Sequence, residues 1–589
     1  MNALENQLNS LHQALALISS GNPADALQLL SSIPADSRLY PHALHLHGIA
    51  HATQGRTAQA IEMFELALPC LADNEELLAN LSRAYAAATR FADALDLLDK
   101  IAETGKASAA IYSDRAAVLE KLGKDVLAID NYDKAIELDS GYFDAWTGKG
   151  NLLHKMGNYE EALSCQDQAI GLRSDHALAR SGRASTLDKL GRMNEALAEH
   201  RRAQLLDPEN AAIWSGQGVG LVLLHRLEEG LRCFDRALGI VPFHLQAMIN
   251  RASVLAELGQ REESLRQFDI VLQYASEGSR ARAQALSFMG MVKLALGDQA
   301  GWAGYEHRLH ADPETAVHNT QAERWSGTET LAGKRILLWS EQGYGDTIQF
   351  CRYSASLAAL GATVLVEVPG PLLILCTSLP VSAIFHKGAS LLEHDFHIPM
   401  MSMPLALQGQ PQLTGIPCPD GYLHADPRTI EKWKQAIASP RNRLRIGIAC
   451  SGARRHPRNA QRVLPLRKML PLSEVADLVM LQPELEPDDL AIAAANPAII
   501  RPSLDSNDFS DVAGLIANLD LVISVDTSIA HLAGAMRAPV WILLPWSAEW
   551  RWMTDRADSP WYESARLFRQ PARGDWDAVI RDVLHALDA

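Results

Sequence analysis

Small and apolar positions follow two rhythms along the chain. As far as about residue 310, small residues recur every 34 positions, at Ala26, Ala60, Ala94, Ala128, Ala162, Ala196, Gly230 and Ser264. Twelve positions before each stands another small residue: Ala14, Gly48, Ser82, Ala116, Gly150, Ala184, Gly218 and Ala252. A turn glycine falls between the two in most units (Gly21, Gly55, Gly123, Gly157, Gly191, Gly259), and in several an aromatic follows the second by four (Phe64, Tyr132, Phe234, Phe268). Antiparallel helices approach closely only where side chains are small, glycine ends the first helix, and the aromatic covers the next seam. Stacked helix pairs are predicted. From about residue 333 the rhythm shifts to short apolar runs flanking helical stretches, the pattern of parallel βαβ units. KRILLWS, TVLVEVP and HDFHIPM form one set. RIGIAC, LVMLQP, PAIIRP, LVISVD and PVWILLP form a second, beyond a polar connection around HADPRTIEKWKQ. Two open α/β halves facing a cleft are predicted. The amphipathic last helix, DWDAVIRDVLHALDA, is expected to pack back across the first half.

The 34-residue pattern resembles the tetratricopeptide repeat family, with eight units and a degenerate ninth near GDQAGWAGYEHR. The resemblance implies a superhelix over residues 1–310 whose concave wall, lined by the first helix of each pair, grips extended polypeptide. Lys121, Lys155 and Lys189 recur at one helix position beside Glu120, His154 and Asp188 and form a candidate acceptor-binding ladder; a solvated charged face explains them equally well. In O-linked N-acetylglucosamine transferases an asparagine ladder grips peptide inside the superhelix. Here that position carries Asn80 and Asn250 but Gly148, Gly182 and Gly216 between them.

Composition narrows the partners. The net charge of −16 argues against a general nucleic-acid or anionic-membrane binder, so any anion site is local. Seven scattered cysteines without a CxxC pair indicate neither a disulfide framework nor a zinc site and suit a reducing compartment. The N-terminus has no basic region before an apolar core, and no apolar run reaches the ~18 residues of a membrane span. A soluble, cytoplasmic protein without membrane insertion is expected.

Three stretches carry candidate chemistry. LVISVDTSIAHLAGA reads as strand, turn and helix, so unpaired amides and the positive end of the helix dipole face the cleft beside Asp526, Thr527, Ser528 and His531. Such a mouth favours phosphate, with the two hydroxyls as added donors; Asp526 as a helix cap and His531 as a packing residue remain open. Residues 441–470 hold nine Arg or Lys and no Asp or Glu. If topology brings that loop to the same sheet edge, Arg454, Arg455, Arg458 and Arg462 are candidates for a diphosphate, the alternative being a solvated basic loop. WSEQGYGDTIQF places Asp346 on a glycine loop, either as a general base toward an acceptor hydroxyl or as an N-cap.

GYGDTIQF and VDTSIAHLAGA together resemble the ADP-heptose heptosyltransferases and, more closely, bacterial fusions of tetratricopeptide repeats to such a domain; the tail WRWMTDRADSPWYESARLFRQ has the look of those fusions. The resemblance, over roughly residues 297–589, implies a GT-B fold with an N-terminal half at 325–430 and a donor-binding half at 440–589. It implies inverting, metal-independent glycosyl transfer from a nucleotide sugar, without a cofactor. By the same resemblance Asp346 is the general base, and Thr527 and Ser528 form the turn that holds the donor diphosphate. Asp526 lies near the donor sugar, His531 belongs to the same motif, and Arg462 contacts the donor. Relatives carry Trp and Asn-Pro where this chain reads CSGARRHP. The reading is a protein glycosyltransferase whose repeats capture a polypeptide acceptor, flagellin being the kind the resemblance suggests. The alternatives are a transferase acting on a glycan or lipid-linked glycan, and a non-catalytic scaffold with a degenerate sugar-nucleotide domain.

Overall fold

The computed structural model describes residues 2–105, 107–312, 318, 320–410, 415–418, 420–437, 443–452, 459–505 and 508–589. The chain parts into two compact units, Met1–Leu224 and His225–Ala589. The division falls inside the helical array.

In the first unit, successive helix pairs such as Tyr40–Thr53 with Thr57–Ala67 and Phe143–Lys155 with Tyr159–Leu172 follow the 34-residue repeat. The small positions are the points of closest approach: Ala14, Ala26, Ala60, Ala94, Ala116 and Ala128 are fully buried. A Cβ added to Gly48 would stand 2.3 Å from the Phe64 ring of its own pair, and one on Gly148 2.5 Å from Tyr132 of the preceding pair. The aromatics therefore fill room that glycine leaves, within a pair as well as across the seam. Ion pairs repeat with the helices, Arg115 to Asp99, Lys149 to Asp133 and Arg183 to Asp167, each spanning 16 residues between consecutive pairs. Being partly exposed they add little each; they favour one stacking register.

The second unit opens with helices Leu227–Ile240, Leu245–Glu257, Arg261–Tyr274 and Arg280–Ala295 and then closes the array with the short turns Gly301–Tyr305 and Arg308–Ala311. Two all-parallel sheets follow. The first contains β1 (Glu323–Arg324), β2 (Arg335–Trp339), β3 (Thr363–Val368), β4 (Ala383–His386) and β5 (Phe396–Pro399) in the order β1-β5-β2-β3-β4. The second contains β6 (Leu444–Ala449), β7 (Ala476–Met480), β8 (Ile499–Ile500), β9 (Leu521–Val525), β10 (Val540–Leu544) and β11 (Ala565–Arg569) in the order β11-β10-β9-β6-β7-β8. Each is doubly wound, with its order reversing beside the first long strand, between β2 and β5 and between β6 and β9. Ligands bind in the crevice beyond the carboxyl ends of strands at such a point. Two such halves make the GT-B arrangement that the resemblance implied.

The polar connection between the halves takes a defined form, and one expectation, the packing of the last helix, is corrected. The polar connection is a helix, Pro427–Ala436, capped by Asp426 and docked on helix Phe509–Ile516, with Trp433 Nε1 donating to Asp511 at 2.9 Å. Helix Trp576–Asp588 does not cross to the first half: Trp576, Val579, Ile580 and Val583 join the core of Ile446, Ile448 and Leu478 under the second sheet. The segment that does cross is the tryptophan-rich run, where Trp550 and Trp561 pack with Trp302 and Phe350. An amphipathic helix needs only one apolar partner, and the sheet just completed is the nearest; large rings are what span the gap between lobes.

Candidate active site

Parallel pairing puts the segments after β6 and β9 on one edge of the second sheet, and the loop after β2 comes to it from the first. A cavity of about 170 Å³ forms there, lined among others by Asp346, Arg462, Asp526, Thr527, Ser528 and His531. Six of the seven residues expected at the catalytic and donor sites are thus brought together. Arg454, with Arg455 and Arg458, lies outside the described residues.

Asp346 is the third residue of helix Tyr344–Phe350, whose N-cap is Gly343. It is therefore not the N-cap. One carboxylate oxygen reaches back to accept the Gly343 N–H at 2.9 Å while the other accepts from Arg551 Nη2. Burial raises its pKa above the ordinary carboxylate range, and the Arg551 guanidinium opposes that rise.

Thr527, not Asp526, caps helix Ser528–Ala535: its hydroxyl accepts from Ile529 N at 3.3 Å and meets Ser524 Oγ at 3.0 Å. Ser528, half-buried, stands at the first helical position among amides that no helix pairs internally. Arg462 closes the mouth. Its Nη1 donates to the Asp526 carbonyl at 2.9 Å, its Nε is buried without a partner among the described residues, and Gly452 makes room for it, since a Cβ there would lie 3.0 Å from Nη2. Cys450, by contrast, is a core residue: it is fully buried, its N–H donates to Gln482 Oε1 at 2.7 Å, and burial pushes its thiol up to about 12.

His531 is buried between Trp552, stacked at 5.2 Å, and Tyr562, whose hydroxyl meets Nδ1 at 2.9 Å; Nε2 faces Asp526 at 3.9 Å. Burial, then Arg551, presses its pKa down to about 3, so it is neutral in the folded protein. Burial, then Glu549, lifts Asp526 to about 6. The two act in opposite senses on stability. As pH falls below the ordinary histidine value of ~6.5, the unfolded chain takes up a proton that folded His531 refuses, and stability is lost. Between ~6 and ~4 the folded chain holds a proton on Asp526 that the unfolded chain has shed, and stability is gained. His531→Gln is therefore expected to become more stable relative to the parent on acidification, by about 1 to 2 kcal/mol at pH 5. Thermal midpoints at pH 7 and 5 check this; parallel curves would contradict it.

Two residues of the cavity escaped the sequence reading. Arg551 follows β10 in the turn Trp550–Trp552 and is only 3% exposed. It donates from Nε to Gln349 Oε1 at 2.7 Å, from Nη1 to Glu549 and from Nη2 to Asp346, while Trp561 Nε1 holds its carbonyl at 3.0 Å. Glu549 lines the cavity beside it. A guanidinium between two buried tryptophans must find hydrogen-bond acceptors, and two of those found here are carboxylates. The WRW triplet was that signal.

The three lysines belong to the first unit. Lys121, Lys155 and Lys189 each end the first helix of a pair and are exposed, Lys155 bonding both oxygens of Asp125 at 3.1 Å. Two of their expected polar neighbours point elsewhere: Asp188 is drawn inward by His200 at 3.0 Å, and His154 bonds Thr186 Oγ1 at 2.9 Å.

The chain matches two protein families over short segments. The tetratricopeptide repeat matches residues 131–164, and glycosyltransferase family 9 (heptosyltransferase) matches residues 500–571, which include Asp526, Thr527, Ser528, His531, Glu549 and Arg551. Protein FlbA of Caulobacter vibrioides is 25% identical over 333 residues, 50% of this chain and 53% of its own, so the match spans about half the length of that relative. Among solved structures, a tetratricopeptide repeat protein from Parabacteroides merdae is 18% identical, with 40% of this chain and 94% of that one covered and a TM-score of 0.36. YrrB, described as a tetratricopeptide protein with an unusual peptide-binding site, is 24% identical, with 32% and 96% covered and a TM-score of 0.27. The chain thus carries a tetratricopeptide repeat region and, C-terminal to it, a domain similar to glycosyltransferase family 9.

Proposed function

We propose that the chain moves a sugar from a nucleotide-sugar donor to a hydroxyl of a protein acceptor captured by the repeats, by a single inverting displacement without a metal ion. The observation that carries this reading is the meeting of Asp346, from the first sheet, with the capped mouth at Thr527 and Ser528 and the Arg462 guanidinium, from the second. The acceptor oxygen attacks the anomeric carbon as its proton passes to Asp346, and the bond from that carbon to the diphosphate oxygen breaks. The helix mouth and Arg462 meet the negative charge growing on the departing nucleotide, charge that fixed dipoles stabilise without reorganising. His531, neutral, hydrogen-bonds without adding a cation.

Calorimetry with inorganic pyrophosphate tests the mouth. The parent chain is expected to bind, and Arg462→Ala to bind about tenfold or more weakly, as the loss of one charge-assisted contact implies. No binding by the parent would overturn the assignment. Intact masses of proteins from cells with and without this chain test the acceptor class: altered envelope glycan with no protein mass shift would favour the glycan transferase.

A further inference from the structure

The helical array ends inside the first sheet's loops. Trp302, Tyr305 and Arg308, three residues apart, are all buried at 8% exposure or less. Their backbone is seated on helix Arg280–Ala295 through glycines: a Cβ on Gly290 would lie 2.3 Å from Tyr305 N, and one on Gly301 2.6 Å from Gly290 O. From this seat Arg308 reaches Glu341 with a two-pronged contact, Nη2 to Oε1 at 2.7 Å and Nε to Oε2 at 3.0 Å, and its Nη2 also reaches Ser402 Oγ at 2.9 Å. Glu341 Oε1 accepts the Met401 N–H at 3.1 Å, so one carboxylate ties the segment after β2 to the segment after β5. The next residue, Gln342, donates to the Tyr305 hydroxyl at 3.3 Å. Trp302 meets Trp550 edge-on at 5.2 Å, and Trp550 adjoins the arginine that holds Asp346. Both supports of Asp346, the loop before it and the guanidinium beside it, lean on these three side chains.

We propose that this terminal unit of the array is a positioning element for catalysis, with Arg308 acting through Glu341 to set the loop that carries Asp346. The inference rests on the reading of Asp346 as the base and deepens it. Stability alone is a weak reason for such a pair: replacing a buried ion pair by apolar side chains is often neutral or stabilising. Geometry is a stronger one, because a misplacement of about 1 Å at a reacting group costs about 10²-fold in rate.

The test uses the full chain and a panel of ADP-, UDP- and GDP-linked sugars, read by release of the nucleoside diphosphate. Arg308→Met and Glu341→Gln are expected to lower kcat about 10- to 100-fold with donor KM within about twofold, since the donor mouth stands on the other sheet. Arg308→Lys keeps the charge but loses the fork, and is expected to recover part of the rate. The decisive variant is Arg308→Met with Glu341→Met: the thermal midpoint should return toward the parent value while kcat stays low. An active parent whose double variant regains kcat along with stability, or single variants that keep the parent kcat, overturn the positioning role alone. A parent inert toward every donor overturns it together with the proposed function.

Discussion

Asp346→Asn is expected to lower sugar transfer by about 10² to 10⁴-fold while pyrophosphate still binds, because the amide fills the same space and accepts the Gly343 N–H but takes up no proton. The pH profile of the parent carries the same information. Burial holds the Asp346 carboxyl above its ordinary range, with Arg551 pulling against it and Glu549 and Glu341 adding to the rise. A base works only when deprotonated, so kcat/KM should fall as pH drops through that raised value, and this acid limb should be missing from the residual activity of the variant. A variant with parental rates would remove Asp346 from the mechanism. So would a parent whose rate is flat down to the pH at which it unfolds.

The largest loss of stability is expected at Arg352. This side chain is 1% exposed, carries its charge into the interior, and shows no carboxylate partner among the described residues. It donates from Nε to the Gln349 carbonyl, from Nη1 to the Trp561 carbonyl and from Nη2 to the Tyr422 hydroxyl, each at 2.9 Å. Its guanidinium also lies 4.5 Å from the ring centre of Tyr422 and 5.0 Å from that of Tyr562. Arg352→Ala strips these acceptors of a donor and leaves a cavity between helix Tyr344–Phe350 and the crossing tail. Each effect costs a few kcal/mol, and together about 3 to 5 is expected. Urea unfolding measures it, and a change below ~1 kcal/mol would show that water and neighbouring side chains fill the gap. Tyr562 also holds His531, so the same variant should loosen the cleft.

The parts that were legible in the sequence were those where geometry restricts residue choice. Close helix packing admits only small side chains, so the 34-residue rhythm showed the pairs. Strands β2, β3, β6, β7, β9 and β10, buried along most of their length, showed as apolar runs. The two exposed residues of β1, and β4 with three half-buried residues and one exposed, are not buried as those strands are, and neither was anticipated. Within the cleft, residues at the ends of long strands were predictable because parallel topology sends all those ends one way. Arg551 and Glu549 sit in an irregular turn whose path periodicity does not encode, and Arg308 and Glu341 owe their meeting to the way the array docks. The packing of the last helix was misjudged for a related reason: an apolar stripe announces burial without naming the surface.

At Gly345 an added Cβ would fall 2.8 Å from the His531 ring, and the helices that carry these two residues, Tyr344–Phe350 and Ser528–Ala535, pack on each other. The imidazole thus acts as a spacer bar between the jaws. Glycine on one side and a rigid aromatic on the other set how closely the two helices approach at this corner. A side chain at position 345 would push the two lobes apart beside Asp346, so this glycine is what lets the carboxylate and the helix mouth at Thr527 face each other across a narrow gap.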